Sequence, residues 1–433
     1  MGDALKGRKQ VDKKHKSKGF MKLSRLVDRA YGEEPPTFDL PLALRALGQI
    51  YPKFGKRFRL ENAGAPSVQS KPSRPFVDLG IGEYFDCDPE IIEAAIASLR
   101  AGNTRYLTLE PLKHAIVSTY REEHGVNIDA QEVLLLGGAR PGIAMAALAG
   151  IDPGDVVIVP DPDYIGLTHM ASAVGATVVR VPLQRIPEGG FAPDLDAIKA
   201  HAAAGARAIL LTNPNNPTGF VWRRDDLKTL ALISDRFGIL VVVNEIYDRL
   251  VFRGNHCSYA SIGNRDRAVI IGGTAKVYDM TGFGLGWILS SAENVAVFED
   301  LLFLTHQGKP DATSQHAALA ALTSPVRERG ASQSRARLLV NAQLTVEALD
   351  GFCGCRCPLP DAGQFAFPWI GGDDLEVARF LKTNFQVQVV PGSIWGSQGA
   401  GHLRVALANN KSRQAEGLER LRAGLMARKQ RAV

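Results

Sequence analysis

Between residues 133 and 289, short runs of β-branched and aliphatic residues alternate with stretches whose apolar residues recur every three or four positions. A brief apolar run bounded by glycine or polar residues reads as a buried strand. Three-to-four spacing reads as a helix with one face on a core. The runs predict strands over 133–136, 156–159, 177–181, 208–211, 239–243, 269–271 and 287–289, and helices over 142–149, 195–203 and 225–237. Upstream, 76–84 (FVDLGIGEY) reads as a strand running into a glycine turn. A helix follows over 89–99, with Ile91, Ile92, Ala95 and Ile96 on its apolar positions. Strand–helix alternation predicts an α/β fold, a mostly parallel sheet sandwiched by helices. From about residue 293 the texture changes. One long helix is expected over 326–349, short strands over 365–368, 387–390 and 403–406, and a last helix from Arg413. The expected division is a basic segment (1–75) that joins the small domain, a large α/β domain (76–305) and a small α+β domain (306–433). An apolar patch at 40–47 predicts one helix in the first segment.

Composition changes this picture little. With 433 residues the chain has room for two domains, and 22% charged residues is the proportion of an ordinary globular protein. The net charge of +6 matters only once it is located. Residues 1–30 hold ten Lys or Arg against three Asp, so the remainder is close to balanced. A basic tail of this kind is solvated. It has no aromatic interleaving and no helix-turn-helix pattern, so no nucleic-acid partner is expected. No apolar signal segment opens the chain, and the long apolar stretch at 133–151 is broken by Arg140, Pro141 and four glycines, so no membrane partner is expected either. Five cysteines, an odd number, fit a reducing cytosol and a cytoplasmic location. Cys353, Cys355 and Cys357 alternate and would share one face of a strand; without a histidine cluster beside them they are read as structural, not as a metal site.

The candidate chemistry lies at the ends of the predicted strands. Gly272 and Gly273 stop the 269–271 run and Lys276 follows at the strand's mouth. A lysine there can reach a ligand at the carboxyl edge of a sheet. Lysine forms Schiff bases with carbonyls, of which pyridoxal phosphate (PLP) is the usual cofactor. Gly137, Gly138, Ala139 and Arg140 join a strand to a helix; free N–H groups at such a turn suit a phosphate, although paired glycines also serve geometry alone. Tyr164 follows the strand at 156–159 and can stack on a flat ring or simply close the rim. The turn at 213–219 (NPNNPTG) carries two Asn-Pro steps and a Thr-Gly ending, which hold Asn216 at the sheet edge. The strand at 239–243 ends in Asn244 and Tyr247, candidates for a ring nitrogen and a ring hydroxyl. Glu245 faces the other way if the strand runs on.

In order and spacing, Tyr164, NPNNPTG at 213–219, NEIYD at 244–248 and Lys276 resemble the fold-type I PLP enzymes, and within them the aspartate-aminotransferase branch of the class I/II aminotransferases. The resemblance covers about residues 76–421. It implies amino-group transfer on an α-amino acid, with PLP as cofactor, in a biosynthetic pathway. Lys276 resembles the Schiff-base lysine that also carries the α-proton. Tyr164 resembles the ring-stacking aromatic. Asn216 and Tyr247 resemble the pair on the cofactor's 3-hydroxyl, and Ala139 and Arg140 match the phosphate turn. Tyr106 resembles the tyrosine that reaches the neighbouring subunit's phosphate, which implies a homodimer with shared sites. Arg404 resembles the arginine that grips the substrate α-carboxylate, where a guanidinium fork matches two oxygens.

Three pocket positions depart from the family. Asn244 stands where an aspartate faces the pyridine nitrogen, Gly273 where a serine binds phosphate, and Gly284 where an arginine does. A neutral amide favours the protonated ring much less than a carboxylate. Arg140 and Thr274 are close enough in the motifs to take over the phosphate. Besides transamination, the departures leave open elimination, replacement or decarboxylation on the same cofactor. A ligand-binding protein with a dead pocket is a third alternative, opposed by the retained Lys276, Tyr247 and Arg404.

Overall fold

The computed structural model describes residues 75–83, 86–186, 190–306, 309–323 and 325–431; the helix expected over 40–47 lies outside them. The chain runs through β1 (Val77–Asp78), α1 (Pro89–Arg100), α2 (Glu110–His124), β2 (Val133–Leu136), α3 (Ala139–Gly150), β3 (Val156–Asp161), α4 (Ile165–Ala173) and β4 (Thr177–Pro182). A small hairpin, β5 (Gln184–Arg185) and β6 (Phe191–Ala192), precedes α5 (Leu195–Ala203), β7 (Ala208–Thr212), α6 (Arg224–Phe237), β8 (Leu240–Asn244), β9 (Ala268–Gly273), β10 (Gly286–Leu289) and α7 (Ala292–His306).

The described residues form a seven-stranded sheet in the order β2-β10-β9-β8-β7-β3-β4. Strand β10 runs antiparallel to both neighbours, and β9, β8, β7, β3 and β4 pair in parallel. Every residue of β7 and β8 is buried. Alternate residues feed two separate cores: Ile209, Leu211, Val241 and Val243 face one, while Leu210, Val242, Val269 and Ile271 face the other. The continuous apolar runs follow from this, since a strand covered on both faces has no solvent side to leave polar. Each strand except β2 runs one or two residues beyond its apolar run at one end or both. Thr212 pairs with Asn244, and Asn244 with Ile271. The backbone ladder does not need apolar side chains, so pairing continues into polar residues such as Thr212 and Asn244.

The C-terminal part comprises α8 (Ala312–Leu322), α9 (Val326–Leu349), β11 (Phe365–Ala366), α10 (Asp374–Phe385), β12 (Val387–Gln388), β13 (Val390–Pro391), β14 (Leu403–Ala406) and α11 (Lys411–Arg431). Strands β11, β14 and β13 form an antiparallel sheet, whereas β12 pairs in parallel with β1, Val77 opposite Val387. The single strand expected over 387–390 is thus two short strands with different partners. The segment after β1 stays with this part, because Ala406 donates its N–H to the Leu79 carbonyl at 2.6 Å. The cysteine strand does not form. Cys353 sits in a tight turn at φ 53°, a left-handed conformation that breaks the alternation needed to share a face. Among the described residues, no helix is long and apolar enough to cross a membrane.

Candidate active site

The carboxyl ends of β3, β7, β8 and β9 open on one crevice, the usual place for a ligand on a parallel sheet. Lys276 lies three residues past β9 in a turn closed by the Tyr278 N–H on the Thr274 carbonyl. Its ammonium donates to the Gly82 carbonyl at 3.1 Å. Burial pulls the lysine below its ordinary pKa; Glu83 opposes this, while Arg404 and Arg140 add to it. A lysine held this way yields its neutral, nucleophilic form more readily than an exposed one.

Beside it, Asn216 donates to the Tyr247 hydroxyl at 3.4 Å, both side chains being buried. Burial raises the Tyr247 phenol, and Arg404 opposes that rise. The turn holding Asn216 is tied by its own residues: Asn215 Oδ1 accepts from the Thr218 hydroxyl at 2.7 Å, and Asn213 Oδ1 from the Trp222 N–H at 3.1 Å. Arg404 projects from β14 into the same place, donating to Asn216 Oδ1 at 3.2 Å and to the Gly80 carbonyl at 2.8 Å. Its guanidinium carbon lies 3.9 Å from the Phe365 ring centre and 4.4 Å from that of Trp395. Desolvation lowers its pKa to about 10, still charged at neutral pH. Asn244 ends β8, buried, with its amide oxygen unpartnered. The strand stops there. Glu245 turns away to accept from the Ser258 hydroxyl and the Tyr259 N–H, both at 2.7 Å.

At the other end of the crevice, α3 begins at Gly138, whose φ of 115° suits glycine and whose position offers no side-chain cap. The N–H groups of its first turn are therefore available to an anion. Arg140, in that turn, is exposed and donates from Nε to the Tyr164 hydroxyl at 3.1 Å. Thr274 is fully buried, with a hydroxyl that meets no partner. The two glycine departures have local reasons. A Cβ at Gly273 would meet Ile246 Cδ1 at 2.8 Å and the Leu285 carbonyl at 2.9 Å. Gly284 is left-handed at φ 58° and faces the Gly137 carbonyl.

Lys276, Asn216, Tyr247, Asn244, Arg404, Ala139, Arg140, Thr274 and Tyr164 all lie about this crevice. Tyr106 does not join them in this chain: it is 80% exposed just before α2. The residues fit PLP. Lys276 can take its aldehyde, the Asn216–Tyr247 pair its hydroxyl, the unspent Asn244 amide its ring nitrogen, and the α3 terminus with Arg140 and the unpartnered Thr274 hydroxyl its phosphate. Sequence reasoning missed Phe365 and Trp395, whose rings enclose Arg404, and the Gly80 and Gly82 carbonyls. Trp395 sits between glycines in a stretch with no periodicity, and backbone acceptors leave no mark in a sequence.

The sequence profile described as aminotransferase class I and II matches residues 74–421. The arginine–pyruvate transaminase of Pseudomonas aeruginosa is 32% identical over 337 residues, 76% of this chain and 84% of that protein. The aspartate aminotransferase of Pyrococcus horikoshii is 27% identical over 361 residues, covering 82% and 91%. Among solved structures, a single mutant of Thermus thermophilus aspartate aminotransferase superposes with a TM-score of 0.77 at 27% identity, over 84% of this chain and 95% of that one. With this match along most of its length and a crevice that suits the cofactor, the chain belongs to the class I and II aminotransferases, transferases that work with pyridoxal 5'-phosphate.

Proposed function

We propose that this aminotransferase moves the amino group of an α-amino acid to an α-keto acid through Lys276, as a cytoplasmic homodimer in amino-acid biosynthesis. The observation that carries the assignment of residues is that hydrogen bonds join Tyr247, Asn216 and Arg404, while Arg404 and Lys276 each donate to a carbonyl of the same short segment, Gly80 and Gly82. When bound, PLP supplies an aldehyde that takes up the amino group and a ring that draws electrons from the substrate Cα. Lys276 Nζ holds that aldehyde and, once released, takes the proton from Cα; its lowered pKa favours the neutral form that the task needs. Asn216 and Tyr247 hold the 3-hydroxyl, and Tyr164 packs against the ring. Arg404 binds the substrate carboxylate by its planar fork. Ala139, Arg140 and Thr274 hold the phosphate, Arg140 supplying the cation that neither position 273 nor 284 offers. Asn244 meets the ring nitrogen with an amide, so the chain tolerates a weaker electron sink. Tyr106, exposed on the surface, is free to reach a second subunit. Residues 1–75, 76–305 and 306–433 are the units of this reading, although β1, at the start of the second unit, pairs with β12 of the small domain.

Arginine and aspartate, named by the relatives, are the first donors to test, with pyruvate and 2-oxoglutarate as acceptors. The purified protein with PLP should show a visible absorbance band that bleaches as donor is added, with one equivalent of keto acid released and alanine or glutamate formed on adding acceptor. Ammonia or carbon dioxide in place of the keto acid would refute amino-group transfer. Sedimentation should give twice the chain mass.

A further inference from the structure

The carboxylate grip does not stand on its own strand alone. The turn that carries Trp395, between β13 and β14, is fastened to the edge of the seven-stranded sheet. Asp161, the last residue of β3, accepts from the Ser397 N–H at 3.0 Å, the Ser397 hydroxyl at 2.8 Å and the Gln398 N–H at 3.3 Å. Arg180 of β4 donates from one amino group to the Trp395 carbonyl at 2.8 Å and from the other to the Thr168 hydroxyl of α4 at 3.0 Å. Between these contacts Gly396 has φ 141°, and a Cβ there would fall on the Asp161 carboxylate and against Arg180. The close approach therefore requires glycine at this position.

Held in this way, Trp395 is 4% exposed and lies across the Arg404 guanidinium, with its ring also stacked beside that of Tyr164 at 6.4 Å and 29°. Phe365 lies 3.9 Å from the same guanidinium. A guanidinium donates only in its own plane, so rings against it leave the in-plane edges for acceptors. Those edges meet Asn216 Oδ1 and the Gly80 carbonyl, while Nε has no partner. Rotation of that plane would misdirect the fork for any carboxylate.

We infer that Asp161 and Arg180 are positioning residues: a latch between the sheet and the C-terminal part that sets Trp395, and through its ring the plane of Arg404 and the grip on the substrate carboxylate. This rests on Arg404 as the carboxylate arginine. The indole N–H has no partner in the protein, so Trp395 acts by its ring and phenylalanine is its conservative replacement.

The test uses holoenzyme saturated with PLP. Propionate, a carboxylate with no amino group to transfer, is titrated by its effect on the cofactor absorbance, and KM and kcat are measured for L-arginine and L-aspartate with pyruvate. Arg180→Ala and Asp161→Asn should each raise the propionate Kd and the amino-acid KM about tenfold, the scale of a weakened charged contact. PLP affinity and kcat should stay within about twofold of the parent, since neither residue touches cofactor or reacting atoms. Trp395→Ala should match or exceed these losses and Trp395→Phe should recover most of them. Arg180→Ala combined with Trp395→Ala should be no worse than Trp395→Ala alone, because both act through one ring. Unchanged propionate binding in Arg180→Ala and Asp161→Asn, additive losses in the double variant, or a fall in kcat equal to that in kcat/KM would overturn the latch. If the parent turns over neither amino acid while Arg180→Ala still loosens propionate, the latch stands and the proposed donors are wrong. If Arg404→Ala leaves propionate binding unchanged, the carboxylate reading fails, and the latch with it.

Discussion

The two ends of the crevice are built on opposite plans. At the end proposed for the cofactor ring, Asn216, Tyr247, Asn244 and Arg404 are all buried, and Asn216, Tyr247 and Arg404 hold one another by hydrogen bonds. At the end proposed for the phosphate, one exposed arginine, an uncapped helix terminus and one buried hydroxyl stand where glycines occupy positions 273 and 284. Groups that fix each other before a ligand arrives lose little entropy on binding, and a missing member leaves its neighbours unsatisfied in a dry place. An exposed cation beside open backbone is individually replaceable. The ring end should therefore respond steeply to single changes, and the phosphate end mildly and selectively.

The largest effect is expected at Lys276. Lys276→Ala removes the covalent anchor and the proton carrier together; loss of proton transfer alone gives roughly 10²–10⁴-fold in kcat. Borohydride treatment followed by mass spectrometry should find no cofactor attached to the variant, and near-parental turnover would refute the role. Next comes Arg404→Ala, which removes the charged fork and leaves Asn216 Oδ1 short of a donor. The amino-acid KM should rise about 10- to 100-fold, the equivalent of 1.5–3 kcal/mol for a hydrogen bond to a charged group. Arg140→Ala should weaken PLP by about tenfold, one charged contact at an exposed site, yet leave pyridoxal, which lacks the phosphate, bound as before. Equal weakening of both would place Arg140 at the ring, through Tyr164, and erase the contrast between the ends.

The smallest effect concerns Asp163, which ties Tyr164 to β7 by accepting their N–H groups, from Tyr164 at 2.6 Å and Thr212 at 3.1 Å. Burial raises its carboxyl to about 7, against the opposing pull of those bonds. An aspartate in the unfolded chain titrates near 3.9. Folding thus favours the protonated form: the contribution is complete below the unfolded value and is lost as pH rises through about 7. Thermal midpoints should decline between pH 5 and 8, and Asp163→Asn should flatten part of that decline. An identical slope in the variant would assign it to other groups.

Much of this could be read along the chain. Runs such as 208–211 and 269–271 sit where the strands are, because burial on both faces leaves no other composition possible. Lys276, Asn216, Tyr247 and Asn244 follow directly on those strands, so the ladder that places the strand ends places them too. Helix α9 was legible because its 24 residues hold no proline and a single glycine to break a helix. The short C-terminal strands were less legible: two residues of β12 carry no period, and their partner β1 lies some 310 positions away. The alternating cysteines suggested a strand that a left-handed turn at Cys353 rules out.

By itself, the sequence determined the sheet, the order of its strands along the chain and the residues at their carboxyl ends, because local hydrophobic pattern and turn chemistry act over a few residues. Only the tertiary structure decided that Arg404 lies between Phe365 and Trp395, that Asp161 and Arg180 reach across to the 395–398 turn, and that Gly80 and Gly82 present their carbonyls to Arg404 and Lys276. Those contacts join segments separated by up to some 320 residues, and they depend on where two packed units meet, which no local pattern encodes.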